Sequence, residues 1–250
     1  MTTPAHKTLI YAHRGANRES AENTRTAFDH ALHYAIDGIE TDVQLSHDGV
    51  AVLWHDRFLN KLGLPDKRID DFDYAQLREM DFAQHFSGST QSEGVMSLQD
   101  FLSAYRTRCR LLIEIKNNDG ESLARQQLKV RQTLALIGNT KGDCILASSF
   151  NLDSLICAHG IAPDFPLIYN CEPEQSLADT QHVLAQHSFL HGLCLHISTL
   201  DEAMVTLLRA QNKSITVYTC NSGEEISRAL HLGVDILISD LPQKALQMRD

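Results

Sequence analysis

Two short segments of the sequence carry acidic side chains inside apolar, strand-like runs, Ile39–Val43 and Leu112–Lys116. Side chains on a strand alternate between its two faces, so Glu40 and Asp42 point the same way. Together with Glu114 they make three carboxylates in apolar surroundings, which repel one another unless a cation lies between them. A solvated strand face is the alternative interpretation. Oxygen ligands of this kind suit Mg²⁺ or Ca²⁺, so the sequence predicts a divalent-cation site.

A β-hairpin is predicted directly after the first acidic segment. Asp48-Gly49 is a strong signal for a two-residue turn, and strand-like residues flank it on both sides. Counting outward from that turn pairs Asp42 with His55. Directly opposed residues share a sheet face, so this register predicts His55 beside the carboxylates. A slip of one residue would send the histidine to the other face.

A third segment that could carry chemistry, His13-Arg14-Gly15, ends a strand-like run. Histidine transfers protons near neutral pH, arginine grips a phosphate through two parallel hydrogen bonds, and glycine lets the backbone approach a ligand closely. Alone, such a tripeptide is more typical of an ordinary surface. Its position at the C-terminal end of a strand, in a chain that also contains the other two segments, favours a functional role for His13.

Eight strand-like runs alternate with segments of helical period. Apolar residues spaced by three and four, as from Ala27 to Ala35, form one helix face. This alternation predicts parallel strands joined by right-handed crossovers, and eight repeats favour a closed (β/α)8 TIM barrel over an open sheet. The strand-like runs are Leu9–His13, Gly38–Val43, Arg110–Ile115, Asp143–Ser149, Pro166–Asn170, His191–His196, Ile215–Thr219 and Asp235–Ser239.

The one irregular region, residues 56–100, follows the second strand. It contains glycine, proline and many charges, and it is longer than an ordinary connection between a strand and a helix. An insertion on the active face of a barrel shapes access to the substrate, whereas a merely decorative loop is the alternative. The whole chain, residues 1–250, is expected to form a single barrel domain around this insertion.

The segment Glu22-Asn23-Thr24 precedes the first predicted helix. Asn23 or Thr24 is expected to be the N-cap, because the side chains of both residue types accept hydrogen bonds from free amide groups of the first helical turn. Glu22 is a candidate contact of the site.

The bulk composition limits the possible partners and compartment. The formal net charge of the 250 residues is −10, which disfavours nucleic acid and anionic membranes. The N-terminus lacks the features of a secretory signal, and no apolar run reaches the roughly 18 residues of a membrane span. The 6 cysteines are scattered without metal-site spacing and are expected to be buried thiols in a reducing compartment. A cytoplasmic location is the expectation.

With these segments assembled, the chain resembles the glycerophosphodiester phosphodiesterases. The resemblance extends over nearly the whole length and implies a (β/α)8 barrel with an insertion after the second strand. The matching stretches are Ala12-His13-Arg14-Gly15, Glu22-Asn23-Thr24, Ile39-Glu40-Thr41-Asp42-Val43, His55-Asp56, Glu114-Ile115-Lys116, Thr219-Cys220-Asn221, Gly233-Val234-Asp235 and Ser239-Asp240-Leu241-Pro242.

The resemblance also implies a reaction and a role for each matched residue. The expected reaction is metal-dependent hydrolysis of a small glycerophosphodiester to an alcohol and glycerol 3-phosphate. The implied roles are acid–base catalysis for His13 and His55, metal binding for Glu40, Asp42 and Glu114, and phosphate contacts for Arg14 and Lys116. Of the two histidines, His13 is favoured as the base and His55 as the acid. The nucleophile is either the glycerol hydroxyl of the substrate, which gives a cyclic phosphate, or a water molecule.

The chain departs from the family pattern at a few positions, where Ala21 replaces a proline, Tyr218 a tryptophan and Cys220 an aliphatic residue. These departures leave the chemistry intact and bear on substrate preference. Three alternatives remain. They are a sphingomyelinase D-like lyase that stops at a cyclic phosphate, a Schiff-base aldolase that uses Lys116, and a non-catalytic barrel that only binds phosphorylated ligands.

Overall fold

The computed structural model describes residues 7–117, 120–138 and 144–250. Nine strands and nine α-helices lie within these ranges. The strands are β1 (Leu9–His13), β2 (Gly38–Leu45), β3 (Ala51–Leu53), β4 (Arg110–Ile115), β5 (Ile145–Ser149), β6 (Leu167–Asn170), β7 (Gly192–His196), β8 (Ser214–Tyr218) and β9 (Ile236–Ser239). The helices are α1 (Arg25–Leu32), α2 (Tyr74–Glu79), α3 (Leu98–Tyr105), α4 (Leu123–Ile137), α5 (Leu152–Ile161), α6 (Leu177–Gln186), α7 (Glu202–Ala210), α8 (Gly223–His231) and α9 (Pro242–Arg249).

Eight of the strands are parallel and close into a barrel, because β1 pairs with both β2 and β9. The eight predicted strand-like runs correspond to these eight strands, with ends that differ by at most two residues. The start of one run, Asp143, and the residues before Lys7 lie outside the described residues. The prediction of a (β/α)8 barrel is confirmed.

The side chains of the barrel strands alternate between two apolar clusters. On β4, Leu111 and Ile113 belong to the large cluster that includes the buried residues of the helices. Leu112 belongs to a smaller cluster with Tyr11 and Ile168. Alternate residues of a strand therefore face the layer under the helices and the interior of the barrel. Further along the strands, inward-facing positions carry polar side chains, and these lie at the C-terminal ends of the strands.

Helix α1 begins where the sequence predicted a cap. Thr24 is the N-cap, and its side chain accepts a hydrogen bond of 3.2 Å from the backbone N–H of Ala27. The helix ends at Leu32, so the expected continuation of the helical face to Ala35 is wrong. Ala35 has a φ of 53°, which is left-handed and incompatible with an α-helix.

The hairpin after β2 has a different register from the predicted one. Val43 pairs with Leu53, whereas the predicted pairing of Asp42 with His55 would place Trp54 opposite Val43. Ser46 N–H donates to the carbonyl of Val50 at 3.0 Å, so three residues rather than two form the loop. The two-residue turn was therefore the wrong interpretation of Asp48-Gly49, and the register is shifted by one residue.

The insertion after the second barrel strand has its own small apolar cluster. The indole of Trp54 lies edge-on to Phe82 with 5.2 Å between the ring centroids, and both rings are buried. The full cluster consists of Val52, Trp54, Leu59, Leu62, Ile69, Leu77, Phe82 and Val95. Residues 98–100, the last three of the predicted irregular region, instead form the first turn of the barrel helix α3.

All six cysteines are free thiols. Three of them are buried, Cys109 and Cys157 are half-buried, and Cys144 is exposed. The expectation that all six are buried is therefore wrong, most clearly for Cys144. Across the described ranges, none of the helices has the length and apolar content needed to cross a membrane.

Candidate active site

Three carboxylates meet at the C-terminal ends of neighbouring strands. Glu40 and Asp42 lie on the same face of β2, and Asp42 pairs in register with Glu114 of β4. Each of the three offers an oxygen atom, and these atoms lie within 4.8 Å of one another. Glu40 and Asp42 are buried, so little water is available to screen their charges.

The donor set fits a hard divalent cation. Glu40 has a pKa well above its usual value, because it is buried and because the charges of Asp42 and Glu114 disfavour its ionised form. Among the described residues, Asp42 Oδ1 is a buried oxygen without a hydrogen-bond partner, and Lys116 Nζ lies 3.6 Å from it as an ion pair. Oxygen atoms that repel one another, with one left without a hydrogen bond, are the environment that Mg²⁺ or Ca²⁺ would stabilise.

Arg14 and Lys116 provide the positive charge around this cluster. Arg14 Nε lies 3.1 Å from Asp42 Oδ2, and Lys116 Nζ lies 2.6 Å from Glu114 Oε1. Burial would raise the pKa of Asp42, but the two cations outweigh burial and hold it below its usual range. Arg14 also donates to Glu22 Oε2 at 3.0 Å, so Glu22 contacts the site through the guanidinium group.

The chain can present Arg14 to the cluster because the backbone turns sharply after β1. Arg14 has a φ of 56° and Gly15 a φ of 84°, both in the left-handed region. A Cβ atom on Gly15 would lie 2.6 Å from the backbone carbon of Ala27. Only glycine therefore fits at this position, both for its conformation and for its close contact with helix α1.

Asn23 is a buried contact of the carboxylates that sequence reasoning treated only as a possible helix cap. Its Nδ2 donates to Asp42 Oδ2 at 3.0 Å, and its Oδ1 accepts from Thr41 Oγ1 at 2.8 Å. Its φ of 58° is one that asparagine tolerates better than most residues. That conformation directs the amide at the cluster and leaves the cap to Thr24.

His13 is held by an aspartate from the opposite end of the chain. His13 Nδ1 lies 2.6 Å from Asp240 Oδ1, and its Nε2 lies 3.9 Å from Glu40 Oε2. Burial lowers the pKa of His13, against the raising effect of Asp240. Burial would raise the pKa of Asp240, but the hydrogen bond from His13 holds it below the usual range. Sequence reasoning gave Asp240 no role, because 227 residues separate it from His13.

Asp240 is itself fixed by three other donors. Asn17 Nδ2 donates to its Oδ1 at 2.7 Å, while Arg18 and Asn221 Nδ2 donate to its Oδ2, each at 2.9 Å. Its backbone N–H also donates to Asn221 Oδ1 at 2.9 Å. This carboxylate can therefore orient His13 without moving.

His55 has the same kind of partner as His13. Its Nδ1 lies 2.7 Å from Asp56 Oδ1, and Lys61 Nζ contacts Asp56 Oδ2 at 3.0 Å and Glu22 Oε1 at 2.8 Å. Burial would raise the pKa of Asp56, but hydrogen bonds from His55 and Lys61 lower it to about 2. Lys61 thus ties the insertion to the acidic site.

Gln44 explains how His55 reaches the site in the shifted register. Its Nε2 donates to the carbonyl oxygens of Trp54, His55 and Asp56 at 2.9, 3.3 and 2.8 Å. The chain leaves the strand after Leu53 and curls around this amide. His55 lies at the site because of that curl, not because it pairs with Asp42.

The predicted residues surround one cavity of about 160 Å³. His13, Arg14, Glu40, His55, Glu114 and Lys116 line it, together with Phe150, Asn170 and Tyr218 from the other side of the barrel. Asp42 lies beneath them and is not part of the lining. A wider opening of about 480 Å³ shares His55, Glu114, Lys116 and Phe150 with the cavity and extends to Glu172.

The fold and the position of this cavity define a (β/α)8-barrel enzyme, because such barrels carry their active sites at the C-terminal ends of the strands. The model of the glycerophosphoryl diester phosphodiesterase family matches residues 13–244. The chain therefore belongs to this family, and it is a glycerophosphodiester phosphodiesterase, as the resemblance of its sequence motifs implied.

Individual relatives agree with this assignment. The chain is 29% identical to a glycerophosphodiester phosphodiesterase of Bacillus altitudinis over 97% of this chain and 98% of that protein. It is similar to a phosphodiesterase of Oleispira antarctica solved in complex with the product sn-glycerol-3-phosphate, with a TM-score of 0.84, 25% identity and 96% of each chain covered. A glycerophosphodiester phosphodiesterase of Agrobacterium tumefaciens has the same fold, with a TM-score of 0.78, 24% identity, and coverage of 96% of this chain and 99% of that chain.

Proposed function

We propose that the chain hydrolyses glycerophosphodiesters to an alcohol and glycerol 3-phosphate, with a divalent cation held by Glu40, Asp42 and Glu114 and with His13 and His55 as the acid–base pair. One observation carries this proposal. Two histidines, each hydrogen-bonded through Nδ1 to an aspartate, line the same cavity as the three carboxylates. That arrangement leaves Nε2 of each ring available for proton transfer.

The cation would be Mg²⁺ or Ca²⁺, since all three protein donors are oxygen atoms. When bound, it would offset negative charge on the phosphoryl group as a Lewis acid. Arg14 and Lys116 add positive charge on the same side of the cavity, where both contact the carboxylates and line the wall. We assign the binding of phosphate oxygens to these two side chains.

The two histidines differ in their access to solvent, which favours a division of roles. The His13 side chain is 17% exposed and lies against Glu40, whereas that of His55 is 32% exposed and also lines the wider opening. The departing alcohol has room to leave through that opening. His55 is therefore assigned as the acid that protonates the alcohol, and His13 as the base that activates the nucleophile.

Two nucleophiles remain open, the glycerol hydroxyl next to the phosphate and a water molecule. Attack by the hydroxyl would give a cyclic phosphate that water then opens, and an enzyme that stopped at this stage would be a lyase. In either route, His13 takes the proton from the attacking group and His55 gives a proton to the departing alcohol. Phosphorus NMR of the products distinguishes the two outcomes.

The substrate is proposed to be a small molecule, and the location of the protein to be the cytoplasm. The net charge of −10 disfavours nucleic acid as a partner, and six free thiols suit a reducing compartment. We also propose that residues 1–250 form one domain, with the insertion attached to the barrel through Lys61.

The experiment that tests the proposed function measures glycerol 3-phosphate release from a panel of glycerophosphodiesters, with and without a chelator. We expect release in the presence of Mg²⁺ or Ca²⁺ and none after thorough chelation. Full activity of a metal-free preparation would contradict the proposed metal site. Binding of the substrates without any turnover would instead indicate a non-catalytic barrel.

A further inference from the structure

The wall of the cavity opposite His13 carries a buried amide that the proposed mechanism does not use. Asn170 ends β6, which is four strands away from β1 in either direction around the barrel. The residue is only 4% exposed, and it lines the cavity. In the ranges that the structure describes, its Oδ1 is buried and has no hydrogen-bond partner.

A buried amide oxygen without a partner is costly. Because Asn170 lines the cavity, a group bound there could satisfy its amide. The part of the wall away from the charged residues combines aromatic rings with the hydroxyl side chains of Ser148 and Thr219. The rings of Phe150 and Tyr218 are nearly perpendicular, with 5.8 Å between their centroids, and Cys194 is the in-register neighbour of Asn170. A short carbon chain with a hydroxyl group directed at Asn170 would match this combination of ring surfaces and an amide without a partner.

The two openings of the site suggest which part of the substrate lies here. The part shared by all glycerophosphodiesters is the glycerol group, whereas the alcohol varies in size. The cavity at Asn170 has a volume of about 160 Å³, and the wider opening at Glu172 one of about 480 Å³. The constant glycerol group fits the smaller cavity, and the wider opening leaves room for a variable alcohol.

We propose that Asn170 binds the terminal hydroxyl of the glycerol group and thereby selects glycerol over shorter or less hydroxylated alcohols. The terminal hydroxyl is the one farthest from the phosphate, and Asn170 is across the barrel from His13. The inference rests on the proposed function. It adds a specificity-determining residue to the proton-transfer and cation-binding residues.

The test compares a glycerophosphodiester with an analogue in which propane-1,2-diol replaces glycerol, so that only the terminal hydroxyl is missing. The wild-type protein should prefer the glycerol substrate by roughly tenfold in kcat/KM, the scale of one buried hydrogen bond. In Asn170→Leu, this preference should fall towards one. The inhibition constant of glycerol 3-phosphate should rise by a similar factor, while that of inorganic phosphate should stay unchanged.

Thr216→Val is the matched control. Thr216 Oγ1 is also a buried atom without a partner, but the residue is not part of the cavity lining. This variant should keep the preference for the glycerol substrate. If Asn170→Leu fails to fold, Asn170→Ala carries the same prediction, because the smaller side chain cannot clash.

An unchanged preference in a folded Asn170 variant would overturn the inference, and so would an equal loss in Thr216→Val. A wild-type protein that cleaves both substrates equally well would also overturn it and would leave the proposed function intact. A wild-type protein that cleaves neither would instead contradict the proposed function itself.

Discussion

Replacement of Asp240 by asparagine should disable His13 without removing it. Asp240 Oδ2 accepts hydrogen bonds from Arg18 and Asn221, whereas Oδ1 accepts from Asn17 and faces His13. In Asp240→Asn, the single amide oxygen should take the Oδ2 position, where two donors, one of them charged, require an acceptor. The new NH2 group would then face His13 Nδ1 and force that nitrogen to accept a hydrogen bond.

That tautomer carries its proton on Nε2, so the ring can no longer act as a base. Loss of one proton-transfer group costs roughly 10²–10⁴-fold in rate. We therefore expect kcat to fall by about 10² or more in Asp240→Asn, but by no more than in His13→Ala. Because Asp240 acts through His13, the double variant should be no slower than His13→Ala alone.

The assay is the initial rate of glycerol 3-phosphate release, with the thermal unfolding midpoint of each variant as a check on folding. Arg18→Gln is the matched control, since it removes an exposed positive charge beside Oδ2 and leaves the carboxylate in place. It should lose less than about threefold, the scale of an exposed ion pair. A rate for Asp240→Asn within that same range, or losses that add in the double variant, would refute the reasoning.

Three further predictions follow from contacts within the site. Mg²⁺ or Ca²⁺ should raise the thermal unfolding midpoint, since an ion at 100 times its Kd stabilises a fold by about 2.7 kcal/mol. Glu114→Gln should lose most of this rise and keep a midpoint near that of the metal-free wild type. An equal rise in the variant and the wild type would contradict Glu114 as a ligand. Lys116→Ala and Arg14→Ala should each lower kcat/KM by roughly tenfold or more through lost charged hydrogen bonds, and unchanged values in both would assign these residues to structural ion pairs. Gln44→Leu removes the donor to three carbonyl oxygens around His55. It should lower kcat by about tenfold or more, because the His55 ring would be misplaced. A wild-type kcat in a folded variant would show that the backbone around His55 keeps its path without this side chain.

The parts of the fold predicted from the sequence depended on local patterns. Glu40 and Asp42 could be placed on one face because alternation along a strand is fixed by backbone geometry. The match of Asp42 with Glu114 follows from two neighbouring parallel strands. The eight strands were recognisable because each is a short apolar run between helical segments.

The hairpin shows how a residue can be placed at the cavity through a wrong register. His55 was expected at the site because it would pair with Asp42, and the structure has a register shifted by one residue. The turn signal at Gly49 was real, since its φ is 82°, but it closes a three-residue loop. Gln44 then restores the position of His55 through contacts with the backbone, which no pattern of side-chain types encodes.

Partners that are distant along the chain could not be predicted from local patterns. Asp240 approaches His13 because β9 pairs with β1 when the barrel closes, so its position depends on the complete fold. The residue type of Asn23 suits a helix cap, and only the folded chain, with a left-handed φ and a hydrogen bond to Asp42, shows that the side chain is directed elsewhere. Residue type and spacing along the chain identify the charged residues of the site. The positions of the groups that orient those residues depend on tertiary structure.

The central claim, that His13 and His55 divide proton transfer between them, is tested most directly by the dependence of each variant on the leaving group. His13→Ala and His55→Ala are compared on two glycerophosphodiesters, one that releases an ordinary alcohol and one that releases a nitrophenolate. A nitrophenolate needs little protonation to depart, so this substrate should restore most of the roughly 10²–10⁴-fold loss in the variant that lacks the acid. We predict recovery of His55→Ala and none of His13→Ala. Recovery of His13→Ala alone would reverse the two roles, and equal losses on both substrates would contradict the acid–base division.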